Sequence, residues 1–457
     1  MLPSRRDLLR IGLGGAGTLL VPAPGLLRAA PPEGEPHFFL MIVLAGGADS
    51  SYMFDARPLA MTKAGKVQNY LGKEPFPWQG KNGVTTLASP LVKPLEPFRD
   101  RFSVLNGVVM TPSFDGHLQN MNFLFTGNPF GGDSFIPHFN LAETGRAPQS
   151  LDAVLMSPSS LDATITNHSG VVPLEPRSAS VLSATLRQIA PLEEGNALSD
   201  FVRQRMAKNA AGPGRLAAGA TQMLAGLDQA PRVHRQLAKL SSPPGDLGPQ
   251  QQAVALMAEC FRLSISRSAI YVLGEYFDVH AADRAKEQPK LFTSAVATIA
   301  ALLQGLAATP FDERRSMFDV TTVLVASEFG RSLRAPDARI DATGTNHNQF
   351  SNSILIGGKG IRAGLVVGAS DLADAAETAS KAHLGFDRRL EKAMGRPFDF
   401  KALRARPDLP ATFEMQDHLT VQSVVNTLYA LFDVPKQRYR LLRRDLPLAP
   451  VLSGLLA

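Results

Sequence analysis

Five carboxylate and imidazole side chains in this 457-residue chain stand beside the ends of expected elements. Asp49 closes Gly-Gly-Ala-Asp after the apolar run Phe38–Leu44, and Asp278 and His280 form Phe-Asp-Val-His after a long apolar-periodic stretch. Glu328 lies in Ala-Ser-Glu-Phe-Gly-Arg, and His347 in Gly-Thr-Asn-His-Asn just ahead of an expected strand over 353–356. Carboxylates and imidazoles gathered on one sheet edge suit zinc, manganese, magnesium or calcium, and neutral imidazole favours the first two. Asp278 and His280, two residues apart in an extended segment, project to the same side. Taken singly, each has a plainer use. Asp49 could close a turn, Asp278 could cap a helix, Glu328 could pair with Arg331, and His347 could be a hydrogen-bonded surface group. Their common placement points to one cation site.

Placing these residues requires an alternation of strands and helices. Phe38–Leu44 is continuously apolar with β-branched members, as in a strand buried on both faces, and it ends in a glycine turn. Further strands are expected over 102–110, 320–326, 353–356 and 365–367. Helices are expected over 120–126, 252–277, 291–306 and 421–432. This alternation predicts a three-layer α/β/α sandwich around a mostly parallel sheet. Residues 177–250 change to an Ala, Gln, Arg and Leu texture ending in Ser-Ser-Pro-Pro-Gly-Asp, read as a helical insertion with a linker. The core is thereby divided into 37–176 and 251–457. Residues 128–150, rich in Gly, Pro, Asn and Phe, are expected to form an ordered loop at the carboxyl edge of the sheet, where ligands bind in such folds.

Hydrophobic residues make up 44% of the chain, which predicts a packed core, and 38 Gly with 34 Pro predict long shaped loops rather than a helical rod. The lone Cys260 excludes an intrachain disulfide and any cysteine-based metal site; its apolar neighbours mark a core thiol. Half of the formal charge of +6 belongs to the first 30 residues, where Arg5, Arg6, Arg10 and Arg28 oppose Asp7. The balanced remainder gives no electrostatic reason to hold nucleic acid.

The paired Arg5-Arg6 and the weakly apolar, Gly-rich Ile11–Leu27 resemble a twin-arginine export signal over residues 1–30, with cleavage expected near Ala30. Export through the twin-arginine machinery implies a periplasmic or otherwise exported protein. Pro22 and Pro24 interrupt the apolar stretch, which also falls short of the ~20 residues a membrane helix needs. Gly12-x-Gly14-x-x-Gly17 in the same segment matches the dinucleotide fingerprint in letters only, because no strand precedes it and no βαβ unit contains it.

The order of these parts resembles the alkaline phosphatase and sulfatase superfamily, and within it the exported branch catalogued as domain of unknown function 1501. The residues that carry the resemblance are Gly-Gly-Ala-Asp49, Leu95-x-x-Phe98-Arg99-Asp100-Arg101-Phe102 and the segment from His117 to Thr126-Gly127. They continue with Phe277-Asp278-Val279-His280, Ser327-Glu328-Phe329-Gly330-Arg331 and Gly344-Thr345-Asn346-His347. The resemblance implies an alkaline phosphatase-like fold and carries metal-ligand roles onto Asp49, Asp278, His280, Glu328 and His347. Phe329 stands where the superfamily has a second histidine of a ligand pair. His117 falls where the superfamily begins a helix with a nucleophilic Ser, Thr or Cys. A histidine at a helix start could bind metal, accept a proton, or serve as a core or capping group.

The resemblance implies an exported metal-dependent hydrolase of phosphate or sulfate esters, acting on a small anionic ester or an envelope polymer. His117 would face the cation, and the Arg331 fork would meet the anionic group. The alternative is a metal-stabilised, non-catalytic envelope protein of the same fold that has lost the nucleophile.

Overall fold

The computed structural model describes residues 35–63, 67–110, 116–130, 134–141, 153–156, 171–173, 183–184, 197–212, 220, 224, 231–240, 243–280, 282–333, 345–372, 393–407, 414–442 and 447–457. The expected export signal, His168 and His383 lie outside these residues, as does much of 177–250. Within that segment Ala197–Ala210 is helical.

Up to Val367, the strands among the described residues, in chain order, are β1 (Phe38–Leu44), β2 (Phe76–Gln79), β3 (Thr85–Ala88), β4 (Phe102–Leu105), β5 (Ala153–Leu155) and β6 (Val171–Pro173). After them come β7 (Ser268–Val272), β8 (Thr321–Ser327), β9 (Gly330–Arg331), β10 (His347–Asn348), β11 (Ile354–Gly358) and β12 (Val366–Val367). The longer helices are α1 (His117–Thr126), α2 (Ala197–Ala210), α3 (Pro249–Arg262), α4 (Ala282–Ala308) and α5 (Val421–Leu431). Eight strands form one sheet in the order β12-β4-β11-β8-β1-β7-β5-β6. β1 is parallel to both β7 and β8, while β11 runs antiparallel to its neighbours β8 and β4. The fold is α/β with a mostly parallel sheet.

β1 explains the layering. All seven of its residues are buried, and successive side chains of a strand point to opposite faces. Phe38, Leu40, Ile42 and Leu44 enter one core with α3 and α4, including Phe261, Phe292, Ile299 and Leu303. Phe39, Met41 and Val43 enter the other with α1 and α5, including Leu124, Phe125, Val425 and Leu428. Each side chain so buried contributes about 1.5–3 kcal/mol. Both faces of the sheet are thus covered by helices. α5 is capped by Thr420, whose hydroxyl accepts from the Ser423 amide.

The structure corrects the helix expected over 252–277. α3 ends at Arg262, Ser264 turns the chain with φ of 54°, and Ser268–Val272 becomes β7, inserted between β1 and β5. Of the strand expected over 102–110, only Phe102–Leu105 joins the sheet; Val109 makes an isolated bridge to Thr420. The strand expected over 353–356 runs over Ile354–Gly358. α1 begins at His117, where the resemblance implies a helix start and three residues before the periodicity does.

Candidate metal centre

Three adjacent parallel strands, β7, β1 and β8, end side by side, and the loops after them carry most of the site. Gly46 and Gly47 leave β1 with φ of 100° and 76°, a left-handed backbone that favours glycine. A Cβ on Gly46 would lie 2.6 Å from the Phe277 and Asp278 nitrogens, and one on Gly47 would lie 2.1 Å from Phe329 Cε2. The missing side chains let this loop press against the loops after β7 and β8.

His117, the first residue of α1, directs Nδ1 to Glu328 Oε1 at 2.8 Å and Nε2 to His347 Nε2 at 3.0 Å. His347 Nε2 is also 2.8 Å from His280 Nε2. Asp278 Oδ1 is 3.2 Å from His280 Nε2 and 3.6 Å from His117 Nε2. One ligand atom from each of His117, Asp278, His280 and His347 lies within 4.8 Å of the other three. The side chains of His117, Asp278 and His280 are 24%, 28% and 44% exposed, so the cluster opens to solvent.

Two expected participants stand behind this cluster. Glu328 is buried; its Oε1 accepts from the Gly46 amide at 2.7 Å and its Oε2 from the Ser327 hydroxyl at 3.0 Å. Arg331, expected to meet a substrate anion, is instead a fully buried clamp. Nε donates to Gly47 O at 3.0 Å, Nη1 to Thr345 O at 3.2 Å, and Nη2 to Gly46 O and to Asp278 Oδ1 at 2.7 Å. β9 pairs with β10, bringing His347 opposite Arg331.

Asp49 takes a different place. Its Oδ1 accepts from the Ser51 amide at 2.9 Å, capping the turn Ser50–Tyr52. Its Oδ2 is buried without a hydrogen-bond partner among the described residues, and Asp49 is not one of the four clustered residues. Burial pushes its carboxyl up to about 6 despite the Ser51 bonds and the nearby Arg331.

The electrostatics are set by the packing. Burial acts to lower the His117 pKa, but the Asp278 and Glu328 carboxylates outweigh it and lift the ring to about 9. Burial and the Arg331 charge, offset in part by Asp278, bring His280 down to about 4. For Asp278, burial is overcome by His117 and Arg331, which hold its carboxyl below the usual range. Phe329 forms the inner wall: it is fully buried, with ring centroids 4.8 Å from His117 and 4.5 Å from His347.

A model of the family described as "Protein of unknown function (DUF1501)" matches residues 38–385. The chain belongs to this family. None of the curated proteins matches the sequence. Among solved structures, a protein in the alkaline phosphatase superfamily from Vibrio parahaemolyticus is similar at TM-score 0.31 and 11% identity, over 91% of this chain and 81% of that one. The C-terminal periplasmic domain of EcEptC from Escherichia coli, in complex with Zn, is similar at TM-score 0.32 and 8% identity, over 72% and 74%. BT1596, a 2-O GAG sulfatase, is similar at TM-score 0.31 and 13% identity, over 92% and 75%. These low scores carry no weight for what the DUF1501 chain does; its own side chains must.

Those side chains fit a cation. Glu328 requires an N–H on His117 Nδ1. His280 Nε2 lies 3.4 Å from the Arg331 Nη1 donor and so presents its lone pair. His117 Nε2 and His280 Nε2 face His347 Nε2 at 3.0 and 2.8 Å, beside the Asp278 carboxylate. A cation that displaces the second proton of His117 would find three imidazole nitrogens and one carboxylate. Glu328 behind His117, and Arg331 behind Asp278, are the kind of outer partners that orient metal ligands.

All four clustered residues are legible as candidates in the sequence. Sequence reasoning misses the Gly46 and Gly47 carbonyls as anchors for Arg331, and Tyr276, whose ring centroid is 6.1 Å from His117 and which is 38% exposed. Only the closeness of Tyr276 to Asp278 in sequence could have indicated it. Other histidines have structural roles. His37 stacks on Phe432 at 4.1 Å and bonds Thr322, His138 bonds the Tyr429 hydroxyl, and His418 bonds Gly395 O.

Proposed function

We propose that this protein is an exported metal-dependent hydrolase of phosphate or sulfate esters. The observation that carries the reading is the solvent-open cluster of three imidazoles and a carboxylate at the carboxyl edge of parallel strands, the customary ligand site of open α/β sheets. His117, Asp278, His280 and His347 hold the divalent cation, which supplies Lewis-acid polarisation of the ester and acidifies a bound water. Glu328 fixes the tautomer and tilt of His117. Arg331 holds Asp278 against the β1 loop and is a positioning residue. Export rests on the Arg5-Arg6 segment, and an Arg5→Lys/Arg6→Lys chain should stay in the cytoplasm.

Asp278→Ala and His347→Ala should each abolish metal binding and ester turnover without unfolding the chain, as read by elemental analysis, phosphate- and sulfate-ester panels and circular dichroism. Turnover that persists in both variants rejects the proposal. One observation favours a second reading, a metal-stabilised envelope protein without catalysis: the first residue of α1 is a ligand-cluster histidine preceded by Gly116, with no hydroxyl at either place. Stoichiometric metal without turnover on any ester would select it.

A further inference from the structure

Resting on the cation site just proposed, we infer that the cluster takes one transition ion of the zinc type, and that Phe329 closes the adjoining space to a second ion. The donor chemistry decides the class. Calcium requires six to eight oxygen ligands, and magnesium an oxygen octahedron with several waters. The cluster offers three imidazole nitrogens and the carboxylate of Asp278. The other two acidic groups nearby do not belong to the cluster. Both oxygens of Glu328 already accept from Gly46 and Ser327 while Oε1 also faces His117, and Asp49 caps the turn after β1. Borderline-soft ions with imidazole preference match such a set.

The wall sets the count. Paired ions in hydrolytic sites lie roughly 3.5–4 Å apart, and each needs its own ligands. Beside this cluster, the space toward β1 is filled by the Phe329 ring, which packs on His117 and His347 and reaches the place a Cβ of Gly47 would take. The Arg331 guanidinium lies 5.7 Å from the centre of the same ring and adds a positive charge on that side. A second cation would meet hydrocarbon and a guanidinium where it needs donors.

The test is a Co(II) titration of the metal-free full-length chain, with visible absorption and then elemental analysis after desalting. One equivalent of cobalt is expected, resistant to a large excess of Ca(II) or Mg(II), with at least about 100-fold weaker binding in His347→Ala. Phe329→His, checked for folding by circular dichroism, should raise uptake from one equivalent toward two. Two equivalents in the unaltered chain, displacement of cobalt by calcium or magnesium, or undiminished binding in His347→Ala would each overturn the inference. If Phe329→His does not fold, the stoichiometry of the unaltered chain decides. Failure of the hydrolase reading is a separate result: one tightly held cobalt with no ester turnover removes the activity and leaves this inference standing.

Discussion

Gly47→Ala is a small change with a large expected cost. At φ of 76°, an added Cβ brings the left-handed penalty of roughly 1–2 kcal/mol. The same carbon would sit 2.1 Å from Phe329 Cε2 and 2.6 Å from its Cδ2, so the buried ring must move, and overpacking of this kind costs about 1–3 kcal/mol. Together these give about 2–5 kcal/mol. The ring can yield only toward His117, His347 or the Arg331 clamp, so cobalt affinity should fall along with stability. Denaturant unfolding of the metal-free Gly47→Ala, Phe329→Ala and double variants separates the parts. Shrinking Phe329 removes the steric share but not the backbone share, so the double variant should be more stable than the sum of the two single losses predicts. A Gly47→Ala chain that loses less than about 1 kcal/mol, or strictly additive costs, would refute the argument that this glycine exists to admit Phe329.

Arg331→Met should destabilise by about 3–5 kcal/mol, since it strands the Gly46, Gly47 and Thr345 carbonyls and leaves Asp278 without its buried partner; it should also weaken cobalt binding about 10–100-fold. Unchanged cobalt affinity in a folded Arg331→Met chain would show that the clamp does not position the ligands. Burial pushes the Cys260 thiol up to about 12 within the core, so the native protein should resist iodoacetamide at mildly alkaline pH and react only on unfolding. Rapid labelling of the folded chain, read by mass spectrometry, would contradict that placement. Thr420→Ala removes the cap bond to Ser423 and should cost about 1 kcal/mol in denaturant unfolding without altering cobalt stoichiometry.

The strongest strands are readable because burial on both faces writes itself as an unbroken apolar run: Phe38–Leu44, and Val323–Ala326 within β8, need no tertiary context. β7 is hidden for the opposite reason. Ser268–Val272 continues the apolar spacing of α3 closely enough to pass as helix, and the break depends on Ser264 adopting a positive φ, which composition does not announce. β5 and β6 are three residues each, too short to carry a period. At the site, residue type is informative for the four clustered side chains only in combination, because each alone could cap, pair or face solvent while their shared placement at element ends points to one site. It is uninformative for Arg331 and Glu328. An arginine next to a polar cluster reads equally well as an anion receptor or as a buried clamp, and only the inward-facing carbonyls of Gly46, Gly47 and Thr345 distinguish the two. Asp49 shows the converse, since a carboxylate in the right place can cap its own turn.

Helix α4 carries a consequence for how the chain must travel. Arg284–Ala308 is long and apolar enough to cross a bilayer on length and composition alone, yet its Phe292, Val296, Ile299 and Leu303 lie in the core shared with β1. A nascent copy that met lipid before β1 and β8 had docked would have two competing homes for one greasy stretch. A truncation that deletes β1 bares this apolar face and should send the product out of solution, so safe passage belongs to the chain that has already hidden this helix.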